Sequence, residues 1–100
     1  MYDSRIRDEH VDKLFEAILM LKDINECYRF FEDIATINEV KSLAQRLQVA
    51  MMLNDKKTYL EIAEKTGAST ATISRVNKAL NYGANGYKMV LDRFEEKNQT

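Results

Sequence analysis

One hundred residues with 45% hydrophobic and 31% charged side chains and a formal net charge of −1 fit one globular domain with a modest core, not a disordered chain. No stretch approaches the roughly 18 apolar residues of a membrane span, and the start MYDSRIRDEH has no apolar signal segment, so the expected compartment is the cytoplasm. Cys27 and His10 are each the only residue of their type, which leaves no intrachain disulfide and no zinc spacing; neither metal nor cofactor is expected.

Val11, Leu14, Phe15, Ile18 and Leu19 fall at i, i+3, i+4, i+7 and i+8, the spacing of one buried helical face. Asp23-Ile24-Asn25-Glu26 has the form of a capping box and opens a second helix carrying Ile24, Cys27, Tyr28, Phe31 and Ile34. The same device recurs at Thr36–Glu39 and Thr58–Glu61, and between them a long helix spans about 37 to 53. Its first half is one-sided through Val40, Leu43, Ala44 and Leu47, whereas VAMML (49 to 53) is apolar nearly all round. A helix apolar on every side has to be surrounded, and in so short a chain a second copy of the protein is the obvious cover; the plainer alternative is the centre of a monomeric bundle. After the loop Gly83 to Gly86, Tyr87, Val90, Leu91 and Phe94 form one more one-sided helix. The expectation is all-α, about six helices, in one domain: a dimerisation core over 8–57, a helix-turn-helix over 58–82 and a C-terminal helix over 86–97.

The helix-turn-helix rests on Ala63, Gly67 and Ile73. A small residue lets two helices cross closely, glycine takes the left-handed turn that ends the first, and a branched apolar residue fills the space between them with Ile62, Val76 and Leu80. Ser69 can cap the second helix. With those apolar residues inward, Ser69, Thr70, Ala71, Thr72, Ser74, Arg75 and Lys78 face outward, where hydroxyls and methyls meet base edges and cations meet phosphates in a major groove. Residues 66–80 hold six Ser, Thr or Asn residues and no carboxylate, and residues 65–91 carry net +4 against −4 for residues 1–64. The field that would attract double-stranded DNA is therefore local. Lys56, Lys57 and the helix start at Thr58 are further phosphate candidates. Lys65 and Lys88 read as solvated. Two such units in a homodimer, about 34 Å apart, would reach successive major grooves.

SLAQRLQVAMML (42–53) followed by TYLEIAEKTGASTATISRVNKAL (58–80) resembles the Trp repressor superfamily. The longer match, covering about residues 8 to 95, is similar to the Trp-repressor-like YerC/YecD family. The resemblance implies an intertwined all-helical homodimer and operator DNA as ligand. It also implies an effector pocket between Arg46 and Arg75, with Val76 where the repressor has glycine and Ala79 where it has serine. A branched side chain in a pocket made for a ring, and a lost polar partner, argue against L-tryptophan.

No nucleophile–base pair or Gly-rich phosphate loop is present, so the chain does not read as an enzyme. The rival readings are a helix-turn-helix-shaped protein-interaction module and a repressor gated by an unidentified small molecule. Against the first, a protein-docking face would show aromatic anchors or mixed charge, where this one is polar and short-chained.

Overall fold

Side chains that hold free amides start four of the helices and set the boundaries. In the computed structural model, which describes residues 2–99, the order is α1 (Glu9–Leu19), α2 (Ile24–Ile34), α3 (Ile37–Asn54), α4 (Tyr59–Thr66), α5 (Thr70–Tyr82) and α6 (Gly86–Gln99). No described residue lies in a strand, and six helices stand where about six were expected. Asp8, Asp23, Thr58 and Ser69 are the caps. At Thr58 the capping box is complete: Oγ1 accepts from Glu61 N–H at 3.1 Å, and Glu61 Oε2 accepts from Thr58 N–H at 2.9 Å. At Asp23 the box is displaced. Asp23 Oδ1 accepts from Glu26 N–H at 2.9 Å, but Glu26 Oε1 reaches past the cap to Lys22 N–H at 3.0 Å. No helix of the described residues is long and apolar enough to cross a membrane.

The chain divides into two compact units, one ending at Ile37 and the other beginning at Asn38. In the first, neither α1 nor α2 contains a buried residue. Val11, Leu14 and Ile18 are partly covered, whereas Phe15 and Leu19 of the same face are exposed, Leu19 by 85%. In α2, Ile24 is 73% exposed, and Tyr28 and Ile34 are also open. Phe31 is partly covered and meets Phe30 edge-on, ring centroids 5.6 Å apart. The expected apolar faces exist, but nothing within this unit buries them.

The second unit has a core of its own. Val49, Ala50, Ile62, Ala68, Ile73, Val76 and Leu91 are buried, with Leu47, Met52, Leu53, Ala63, Leu80 and Tyr87 packed around them. Four of the five VAMML residues are thus covered within the chain, and only Met51 is exposed. Most of the segment's apolarity is thus met by α4, α5 and α6 of the same chain, as in the plainer alternative, while Met51 is left open. The uncovered surface of α3 runs along a different line. Exposed Ile37, Ala44 and Met51 fall at i, i+7 and i+14, with exposed Leu43 and half-buried Val40 beside them, the spacing of a helical seam. Ile37 is 73% and Leu43 55% exposed. Helix α3 therefore has two apolar faces, and its own helix-turn-helix uses one.

Candidate functional site

Helix α4 ends where Gly67 turns left-handed, with φ 73°, and its N–H donates to Ala63 O at 2.9 Å. Thr66 fastens the corner: its Oγ1 donates to Ile62 O at 2.8 Å and accepts from Ala68 N–H at 3.1 Å. From α3, Gln45 Nε2 donates to Thr66 O at 3.1 Å, holding the open carbonyl end of α4. Three residues, 67–69, then lead into α5, capped by Ser69 Oγ accepting from Thr72 N–H at 3.1 Å. Ile62 and Ile73 are fully buried between the two helices, and Val76 is nearly so. This rigid corner fixes which side of α5 faces out.

Thr70, Ala71, Ser74, Arg75 and Lys78 are all exposed, at i, i+1, i+4, i+5 and i+8 on one side of α5. None makes a side-chain hydrogen bond or ion pair to any described residue. Ser69 is exposed as well, but its hydroxyl is engaged: besides capping, it donates to Thr72 Oγ1 at 3.1 Å. Thr72 differs from its neighbours in being half-buried, at the edge where α5 turns inward. The outward side continues past the stretch that sequence reasoning singled out, through Asn81 and Tyr82. Asn81 Nδ2 donates to Asn77 O and Oδ1 at 2.9 and 3.0 Å, while Tyr82 is open. The 3.6-residue period extended by one turn would have found both.

Lys56 and Lys57 lie in the loop before α4, and Lys56 has a left-handed backbone with φ 64°. Both lysines are exposed, but Lys57 lines an open hollow with Met52, Glu61, Glu64 and Lys65, where carboxylates offset its charge. The Thr58 hydroxyl is turned to its own helix as the cap. These three are thus set apart from the acid-free side of α5.

Arg46, Arg75, Val76 and Ala79, expected around an effector pocket, do come together. They line a cavity of about 160 Å³ with Thr72 and Tyr87. Val76 is buried and Ala79 half-buried, while both arginines are exposed. Tyr87 was not foreseen there. Its apolar period marks it as a packing residue, and only the path of the 83–86 loop brings the start of α6 against α3 and α5. No acid lines the cavity.

A three-residue turn between two capped helices, packed on a third and presenting a polar outer side free of acids, defines this unit as a helix-turn-helix. The profile of the Trp repressor protein family matches residues 9–95. The chain is 57% identical over 96 residues to the uncharacterized protein YerC of Bacillus subtilis strain 168, covering 96% of this chain and 92% of that one. It superposes on the crystal structure of a TrpR-like protein from Eubacterium eligens with a TM-score of 0.88 at 59% identity, covering 91% and 94% of the two chains. A candidate Trp repressor from Staphylococcus aureus gives 0.87 at 50% identity, covering 91% of each chain. The protein belongs to the Trp repressor family, in its YerC-like branch.

Proposed function

We propose that this protein is a homodimeric, sequence-specific double-stranded DNA-binding transcriptional regulator, a repressor acting in the cytoplasm, that does not respond to L-tryptophan. The observation that carries the reading is the outer side of α5. Thr70, Ala71, Ser74, Arg75 and Lys78 are exposed together, unengaged and without a carboxylate among them. Hydroxyls and methyls there suit base edges, and two cations suit phosphates. Family membership supports the same reading.

The homodimer is supported by what each chain leaves uncovered. Nine large apolar side chains of α1–α3, or directly following α1, are exposed: Phe15, Leu19, Met20, Ile24, Tyr28, Ile34, Ile37, Leu43 and Met51. Covering one such side chain is worth about 1.5–3 kcal/mol. Together they rival the whole net stability of a domain, about 5–15 kcal/mol. A second copy, with its own α1–α3 seams, is the cover proposed.

L-Tryptophan is disfavoured by the cavity itself. Val76 and Ala79 line the recess, a branched side chain and no hydroxyl where an indole amino acid would need room and a polar partner. The cavity does favour a second reading, a regulator gated by an unidentified small molecule. Gel-shift titrations on operators selected from genomic DNA, over several salt concentrations, test the main proposal. Binding should weaken steeply with salt, fall in Arg75→Ala and Thr72→Ala, and persist in Lys97→Ala. Salt-independent binding, or no selected sequence, would shift the assignment to a protein-interaction module.

A further inference from the structure

The outer side of α5 ends on an aromatic ring. Tyr82 is 86% exposed, the most open large apolar or aromatic side chain among the described residues. Ser74, Lys78 and Tyr82 fall at i, i+4 and i+8, one row along that side. The Tyr82 hydroxyl makes no hydrogen bond to any described residue. The turn beneath it is fully formed: Gly83 N–H donates to Ala79 O at 2.9 Å, and Asn81 Nδ2 donates to Asn77 O at 2.9 Å. The ring therefore leaves a fixed helical position, not a frayed end.

Its surroundings say what it suits. A tyrosine that anchors a protein partner sits at the centre of a dry patch, among other apolar side chains. One and two turns back from Tyr82 the row carries a cation and a hydroxyl instead. No Asp or Glu occurs in α5 or in residues 83–91, so no neighbour along the chain repels an anion here. A neutral phenol donates one hydrogen bond, and phosphate oxygens of a nucleic-acid backbone are common acceptors for it.

Length decides where the ring would fall. The 13 residues of α5 span about 18–20 Å at roughly 1.5 Å each, whereas the major groove is about 12 Å wide. A reading helix places its N-terminal residues at base edges. With Thr70 and Ala71 there, the far end of α5 outruns the groove and arrives at its sugar-phosphate rim. We infer that Tyr82 is a further DNA-contacting residue, whose hydroxyl donates to a backbone phosphate at the groove rim. This rests on the DNA-binding reading above and adds to it a contact of a different kind from Arg75. A neutral donor releases no counterion, so Tyr82 contributes affinity without salt dependence, and a phosphate contact carries no base preference.

The test compares the full-length wild type with Tyr82→Phe and Tyr82→Ala in gel-shift titrations. The probes are an operator selected from genomic DNA and a duplex of scrambled sequence, each at several salt concentrations. Tyr82→Phe should weaken binding roughly tenfold, two contacts per dimer at about threefold each. The loss should be equal on both duplexes, and the slope of affinity against salt should stay that of the wild type. Tyr82→Ala should lose about as much as Tyr82→Phe, and unchanged melting temperatures show that both variants have folded. Wild-type affinity in Tyr82→Phe overturns the assignment, even if Tyr82→Ala is weakened, because the hydroxyl is then unused. A loss confined to the operator overturns it in favour of a base contact. If the wild type itself binds neither duplex, the DNA-binding reading fails and this contact with it; if the wild type binds and Tyr82→Phe binds equally, only the contact fails.

Discussion

The two units of this chain use apolar residues in opposite ways. From Asn38 onward, Val49, Ala50, Ile62, Ile73 and Val76 close on one another and leave almost no accessible surface. In α1 and α2 the apolar residues are as regularly spaced, yet none is buried. One region carries its own core; the other has faces that need covering. The self-sufficient core under α5 holds the outer side of that helix in one orientation, which the proposed reading of DNA would require. The proposed role of the N-terminal helices is to join two such cores at a fixed spacing, which requires their apolar faces to be open in the single chain.

The sharpest way to break this comparison is to charge a face that the chain leaves open. Leu43→Glu puts a carboxylate on the α3 seam of each protomer, so a homodimer meets it twice. Analytical ultracentrifugation should show conversion to monomer, whereas a monomeric wild-type protein would remove the proposed reason for the open faces. Ile73→Ala probes the opposite region. Emptying a fully buried site between α4 and α5 should cost about 2–5 kcal/mol in chemical denaturation. A loss below 1 kcal/mol would mean that this core is not the self-sufficient one. Arg75→Ala should leave stability nearly unchanged and remove a charge-assisted contact of about 1.5–3 kcal/mol in DNA binding, with a less steep salt dependence by about two contacts per dimer. Gly83→Ala affects the end of α5. A Cβ there would run into the Ala79 carbonyl oxygen, so the melting temperature should fall by the equivalent of more than about 1 kcal/mol. Smallest is Ser69→Ala, expected to cost about 1 kcal/mol as a lost cap and to weaken DNA binding only through the start of α5.

Much of the fold was legible because it is written in short-range chemistry. Thr58 with Glu61, Ser69 three residues before the amide that it holds, and a glycine where the chain must turn left-handed all act within a few positions. The outer side of α5 was legible for the same reason, since a helix of known start has a known angular period. Thr72 shows the limit: at the boundary between the two sides, small differences in packing decide whether a hydroxyl faces solvent or the cavity. Gln45 shows another, because its bond to the Thr66 carbonyl spans 21 positions and no local pattern announces it.

The sequence alone determined that there are about six helices, the capped starts at Asp23, Thr58 and Ser69, the placement of the turn at Gly67 and the acid-free character of the outer side of α5. Those follow from capping, backbone freedom and periodicity, which depend on near neighbours along the chain. Only the tertiary structure decided that four of the five VAMML residues are covered at home while Ile37, Leu43 and Met51 are not, and that Tyr87 lines a cavity with Arg46 and Arg75. Periodicity says that a face is apolar. Which surface covers it depends on how distant helices meet in space.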